Sequence, residues 1–369
     1  MSFIKWCTGD YITGQADAQE MQRLARISGD LPSEAAGLAN EVRCCTSLGH
    51  YRECISLILR ASSLLALCGR SHGDMDYFLR YYQAEVHLRK SEYVQAGTIY
   101  QQLLQNYQGG QPIYKGIALI NIAQIDLLIG ASYNVIREKI DASRALFAKI
   151  GLGASLLTCD AIQADLNLRE GDMSTLLFRQ SLKCGPEQFS PEDRSYCLET
   201  LADVTRWGPH HDPSWNTVFL VYSLKLKKKL EIHKALQFIG DTFLMAGDEF
   251  SAVSLFTLAL NGFTHMDVHL SRAECIIRLG DIAQKRGDLL KALELWDTAR
   301  PLFDCSSQTK RVLDIDQRIS SISDNIKEQH QNNLAQLAEL KVPVASVEEV
   351  DSDAEEPELE EEQIELIAA

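Results

Sequence analysis

The chain has 369 residues, 46% of them hydrophobic and only 8% aromatic, and it carries a net charge of −15. That apolar content is ample for a sizeable core, and the acidity excludes a nucleic-acid binder, which needs a basic surplus to neutralise phosphates. The excess is local: Val342 to Ala369 holds eleven Asp and Glu and no Lys or Arg, leaving residues 1–341 at −4. The N-terminus lacks the basic-then-apolar order of a secretory signal, and no stretch reaches the roughly 18 apolar residues of a membrane span. The ten cysteines contain no CxxC, so neither structural zinc nor a redox pair is expected. Free thiols without a signal imply the cytoplasm, with the nucleus as the alternative.

Residues 1–34 read as an incomplete first repeat. Gly9 falls where later units place an inter-helix glycine, leaving about eight residues for the preceding helix. The helix after it, expected around Ala16–Ser28, has Ala18, Met21, Leu24 and Ala25 as an apolar stripe. With half a partner that stripe stays wet, at roughly 1.5–3 kcal/mol per exposed side chain. The expectation is a chain that continues a longer array, or one whose residues 1–30 are covered by another molecule. The alternative is that Phe3, Ile4 and Trp6 fold back as a substitute cap.

Residues 35–307 read as seven helical hairpins that start at Ala35, Tyr77, Gly116, Leu157, Ser195, His233 and Ala273, 38 to 42 residues apart. Position 8 of these units reads Val42, Ala84, Ala123, Ala164, Ala202, Gly240 and Gly280. Small residues there let paired helices cross closely. Position 15 reads Gly49, Ser91, Gly130, Gly171, a disturbed Gly208-Pro209, Gly247 and Gly287, as a turn needing positive φ requires. The last two units add Phe256 and Trp296 at position 24. These are the tetratricopeptide (TPR) signature positions, so the predicted fold is all-α: a TPR-like α-solenoid of antiparallel helix pairs with a period near 40. The fifth unit's turn is enlarged by Gly208–Pro213. Residues 308–340 form a polar helix with one stripe, Val312, Ile315, Ile319, Ile322 and Ile326. That stripe suits a capping helix better than a coiled coil, whose heptads would have to continue. Residues 341–369 form an acidic tail expected to be disordered.

The stretches Gly9–Gly14, Asn121–Asp126, His233–Asp241, Gly262–His269 and Leu293–Phe303 resemble basidiomycete fungal TPR-like proteins over nearly all of residues 1–323. In that group the array often follows the nucleotide-binding module of a STAND-class NTPase. The resemblance implies a protein-binding or sensor arm, and the alternative implied function is a regulatory C-terminal array whose NTPase module is absent from this chain.

No GxxxxGK[ST] phosphate loop, GxSxG elbow or GxGxxG turn occurs, so no enzyme activity and no cofactor are expected. His265 and His269 stand four apart, yet no third or fourth ligand completes a metal site, and His210-His211-Asp212 is bracketed by prolines. Lys225, Lys227, Lys228 and Lys229 make one basic cluster, read as solvent-exposed.

The chemistry therefore rests on the groove. In TPR units position 9 faces the concave side, and here it reads Arg43, Glu85, Gln124, Asp165, Asp203, Asp241 and Asp281. Four successive aspartates would line the C-terminal half and focus a negative field on a ligand. The expected partner is a protein or peptide, basic in this reading, with neither nucleic acid nor membrane involved.

Overall fold

A glycine followed by an aspartate sets the turn between paired helices. At Gly247-Asp248 and Gly287-Asp288 the glycine takes φ +83°, in the left-handed region. The aspartate then caps the next helix, accepting from the Ser251 N–H at 3.0 Å and the Lys291 N–H at 3.1 Å. Gly9-Asp10 and Gly29-Asp30 repeat the device with Thr13 and Ser33 as donors. Ser91 fills the same place at φ +66° without glycine.

The computed structural model describes residues 1–69, 73–106, 112–171, 190–205 and 212–339. Among these are sixteen α-helices and no strand. The first six are α1 (Ser2–Cys7), α2 (Tyr11–Ser28), α3 (Leu31–Leu48), α4 (Tyr51–Leu67), α5 (Asp74–Arg89) and α6 (Tyr93–Asn106). Next come α7 (Pro112–Ile129), α8 (Tyr133–Ile150), α9 (Gly153–Arg169), α10 (Pro191–Thr205) and α11 (Ser214–Leu226). The last five are α12 (Lys229–Met245), α13 (Glu249–Met266), α14 (His269–Lys285), α15 (Leu289–Cys305) and α16 (Thr309–Glu339). The partner helix of α9, expected between residues 172 and 189, and the enlarged turn at 208–211 lie outside the described residues.

Within a hairpin the knob sits on the small residue. A Cβ built on Gly280 would stand 2.6 Å from the Trp296 indole nitrogen, and one on Gly240 2.9 Å from the Phe256 ring. Both rings are fully buried. Helix α7 is long and apolar enough to cross a membrane by length and composition. Its side chains explain this differently, because Ile122 and Ile125 enter one core cluster while Ile120, Ala123 and Leu127 enter another. A helix covered on two sides is apolar all round.

The chain divides into two compact units, Met1–Ile322 and Ser323–Ala369. The first is a superhelix that closes on itself. His50 meets Lys229, Glu92 meets His269 and Gln308 meets the Leu128 carbonyl, pairs 179, 177 and 180 residues apart. The His269 N–H also donates to the Lys90 carbonyl at 3.0 Å. Beneath this seam runs one buried cluster that joins Cys45, Tyr51, Cys54 and Val86 to Leu230, Phe263, Met266 and Val268. Two successive turns are thus welded by apolar burial, and polar pairs line the weld. In the second unit the described residues belong to the remainder of α16.

At the N-terminus α2 starts at Tyr11, five residues before the expected helix, because Asp10 caps it. Helix α1 lies on α2: the Ser2 hydroxyl donates to the Gly14 carbonyl at 2.7 Å, and the Trp6 indole donates to Ser47 at 3.1 Å. Trp6 folds back, whereas Phe3 and Ile4 stay 52% and 62% exposed. In α16, Ile315 and Ile322 are buried and Arg318 pairs with Asp281 of α14. The acidic tail beyond Glu339 lies outside the described residues.

Candidate binding lumen

The first helices α3, α5, α7, α9, α10 and α12 together wall a chamber of about 310 Å³. Trp6, Tyr81, Tyr82, Ile117, Ile120 and Phe147 supply its apolar wall. A second chamber of about 360 Å³ adjoins it, with walls reaching α14 and the start of α16. Glu85, Arg89, Gln124 and Tyr196 line both chambers.

Charge in the first chamber is arranged around two held cations. Arg89 donates to Glu85 at 2.7 Å and to Glu231 at 3.2 Å. Lys228, 1% exposed, reaches Glu192 at 2.5 Å and Glu231 at 2.9 Å. Burial would raise the Glu192 carboxyl, but Lys228, Arg89 and the Ser47 hydroxyl outweigh it and hold the group down at about 2. Asp193 lies beside it and accepts from Thr158 at 2.7 Å and Ser190 at 2.6 Å. Burial pushes this carboxyl up, against its hydroxyl partners. In the second chamber Lys234 pairs with Glu199, Arg169 with Asp165, and Arg311 with Glu274.

The structure distributes the position-9 column unevenly. Glu85, Gln124, Asp165 and Asp203 line the chambers. Arg43 instead lies over the rings of Phe78 and Phe3, at 4.3 and 4.5 Å, with Trp6 and Tyr82 close by. Asp241, wholly buried, accepts from Arg278 at 2.8 Å, and Asp281 accepts from Arg318 at 2.8 Å. The groove column is in part a ladder between hairpins, since these partners stand 37 residues apart, as do Glu274–Arg311 and Glu249–Arg286.

Four charged groups of the first chamber escaped the sequence pattern: Glu192, Asp193, Lys228 and Glu231. The first helix of most hairpins begins about four residues before the numbered unit, so its opening turn was never in the columns. Lys228 also corrects the basic cluster, because it is buried while Lys225 and Lys227 lie at the α11 end.

The two histidines part company. His269 faces Glu92 and Asp267, a trio close enough to hold a metal ion. Lys90 already places its ammonium there, 2.6 Å from Glu92 and 3.0 Å from Asp267. His265 bonds the Asn261 carbonyl and lines an outer cavity with His50, His233 and Lys229.

No protein-family model matches this chain, and no curated protein matches it. Among solved structures, a Rap protein complexed with competence and sporulation factor is similar over 89% of this chain and 97% of its own, with a TM-score of 0.55. At 12% identity the likeness concerns fold. The fold is a TPR-like α-solenoid. The chambers are lined mainly by the first helices of successive hairpins.

Proposed function

We propose that the protein is a non-catalytic binding scaffold that takes an extended peptide or protein segment into its lumen. The observation that carries this reading is the pair of neighbouring chambers with four lining residues in common, each of ligand size and walled by rings and charged groups from successive hairpins. The neighbouring Rap structure supports it, since that protein is described in complex with a factor. The first chamber holds four carboxylates, Glu85, Glu192, Asp193 and Glu231, against two cations, Arg89 and Lys228. This surplus favours a basic segment. In the NTPase-linked arrays the chain resembles, such recognition would belong to a sensor arm.

The test is selection of phage-displayed random 12-residue peptides on the full chain, followed by calorimetry of the enriched ones. Gln124 lines both chambers, so Gln124→Trp narrows both and should weaken binding at least tenfold while the thermal melt is kept. Absence of enriched peptides, or equal binding to Gln124→Trp, refutes the lumen.

A further inference from the structure

We infer that Asp193 is the anchor for a single positively charged side chain of the bound segment, which the first chamber receives between its rings. The inference rests on the lumen reading and goes further, naming the residue that sets specificity and the chemistry it selects. It starts from how each carboxylate in the chamber is satisfied. Glu85 and Glu231 share Arg89, and Glu231 and Glu192 share Lys228. Asp193 differs, because among the described residues its side-chain partners are the hydroxyls of Thr158 and Ser190.

A hydroxyl can rotate and give up its acceptor to a better donor, whereas a buried ion pair resists exchange. Of the four acids, Asp193 is therefore the one free to take a new cation without stripping an old one. Tyr81, Tyr82, Tyr196 and Trp6 line the same chamber. Rings suit an ammonium or guanidinium approaching a carboxylate, because their faces attract positive charge. Burial disfavours the Asp193 anion, and the attraction of a cation beside it offsets that penalty. An acidic side chain would meet Glu192, Asp193 and Glu231 together and be rejected.

The experiment is a double-mutant cycle on the full chain with the peptides enriched by phage display. Each peptide's Lys or Arg is replaced by norleucine or citrulline and titrated against the wild type and Asp193→Asn. The wild type should lose at least tenfold in affinity on peptide substitution. Asp193→Asn should bind the parent peptide at least tenfold more weakly and lose under threefold more on that substitution. Equal losses on both proteins overturn the anchor. The selection is a second readout that needs no variant of Asp193. If peptides sensitive to Gln124→Trp carry no Lys or Arg, the lumen stands and the anchor falls. If no enriched peptide responds to Gln124→Trp, the lumen reading fails, and the anchor with it.

Discussion

Lys228 shows how far one side chain can be from its apparent role. In the sequence it is one of four lysines within five residues, the usual sign of a solvated patch. In the structure it is buried between Glu192 and Glu231. Lys228→Met should cost about 3–5 kcal/mol in urea unfolding, because two carboxylates lose their shared cation. A cost under 1 kcal/mol would mean that the pair is solvated. Glu192 gives the matching pH dependence. Its folded value, about 2, lies below the ordinary 4.5, so its stabilisation is complete above about 4.5 and disappears as pH falls toward 2. Glu192→Gln should flatten the acid limb of stability against pH, and an unchanged slope would argue against the pairing. Only part of this cluster depends on closure: Lys228 and Glu192 stand 36 residues apart on successive hairpins, whereas Arg89 reaches Glu231 across 142 residues, a pairing no local pattern marks.

At the scale of the helix pair the sequence was far more legible. The small residue at position 8 recurs along the array, the last two units add a large ring at position 24, and Gly240 under Phe256 and Gly280 under Trp296 realise the pairing. Two glycines of the same hairpin should respond differently. Gly280→Ala drives a methyl into the indole and should cost about 1–3 kcal/mol. Gly287→Ala meets open space but a φ of +83°, and should cost about 1 kcal/mol. Thermal melts of the two variants decide it, and equal costs would mean that the ring moves aside. The ladder of Asp241 with Arg278 and Asp281 with Arg318 was also present in the sequence as a repeated step of 37. Position 9 alone does not reveal it, because the arginines stand at other positions of the next unit.

The whole molecule holds what local pattern could not reveal. Closure of the first unit depends on pairs 177 to 180 residues apart, and periodicity near 40 is silent about how many hairpins complete a turn. The seam also carries a titratable group. Burial, and then Lys229, lower the His50 pKa from its ordinary 6.5, against the nearby Glu53. The neutral ring accepts from the lysine at 3.0 Å. Its stabilisation is therefore present above about 6.5 and lost as pH falls through the lowered folded value. Stability measured by urea should drop between pH 7 and pH 5, and His50→Gln should show a smaller drop. Equal drops would place the sensitivity elsewhere, with His233, also lowered by burial and Lys229, the next residue to replace.

The seam also sets an order of events during synthesis. In an open solenoid each hairpin finds its neighbour as soon as it emerges, so the array can fold as it is made. Here Tyr51 and Cys54 must wait for Phe263 and Met266, the far side of their cluster. At roughly 5–20 residues per second the ribosome needs on the order of 10–40 s to supply that stretch. Throughout that interval the nascent first turn presents an apolar edge with nothing to cover it, which is when a holding chaperone would matter most.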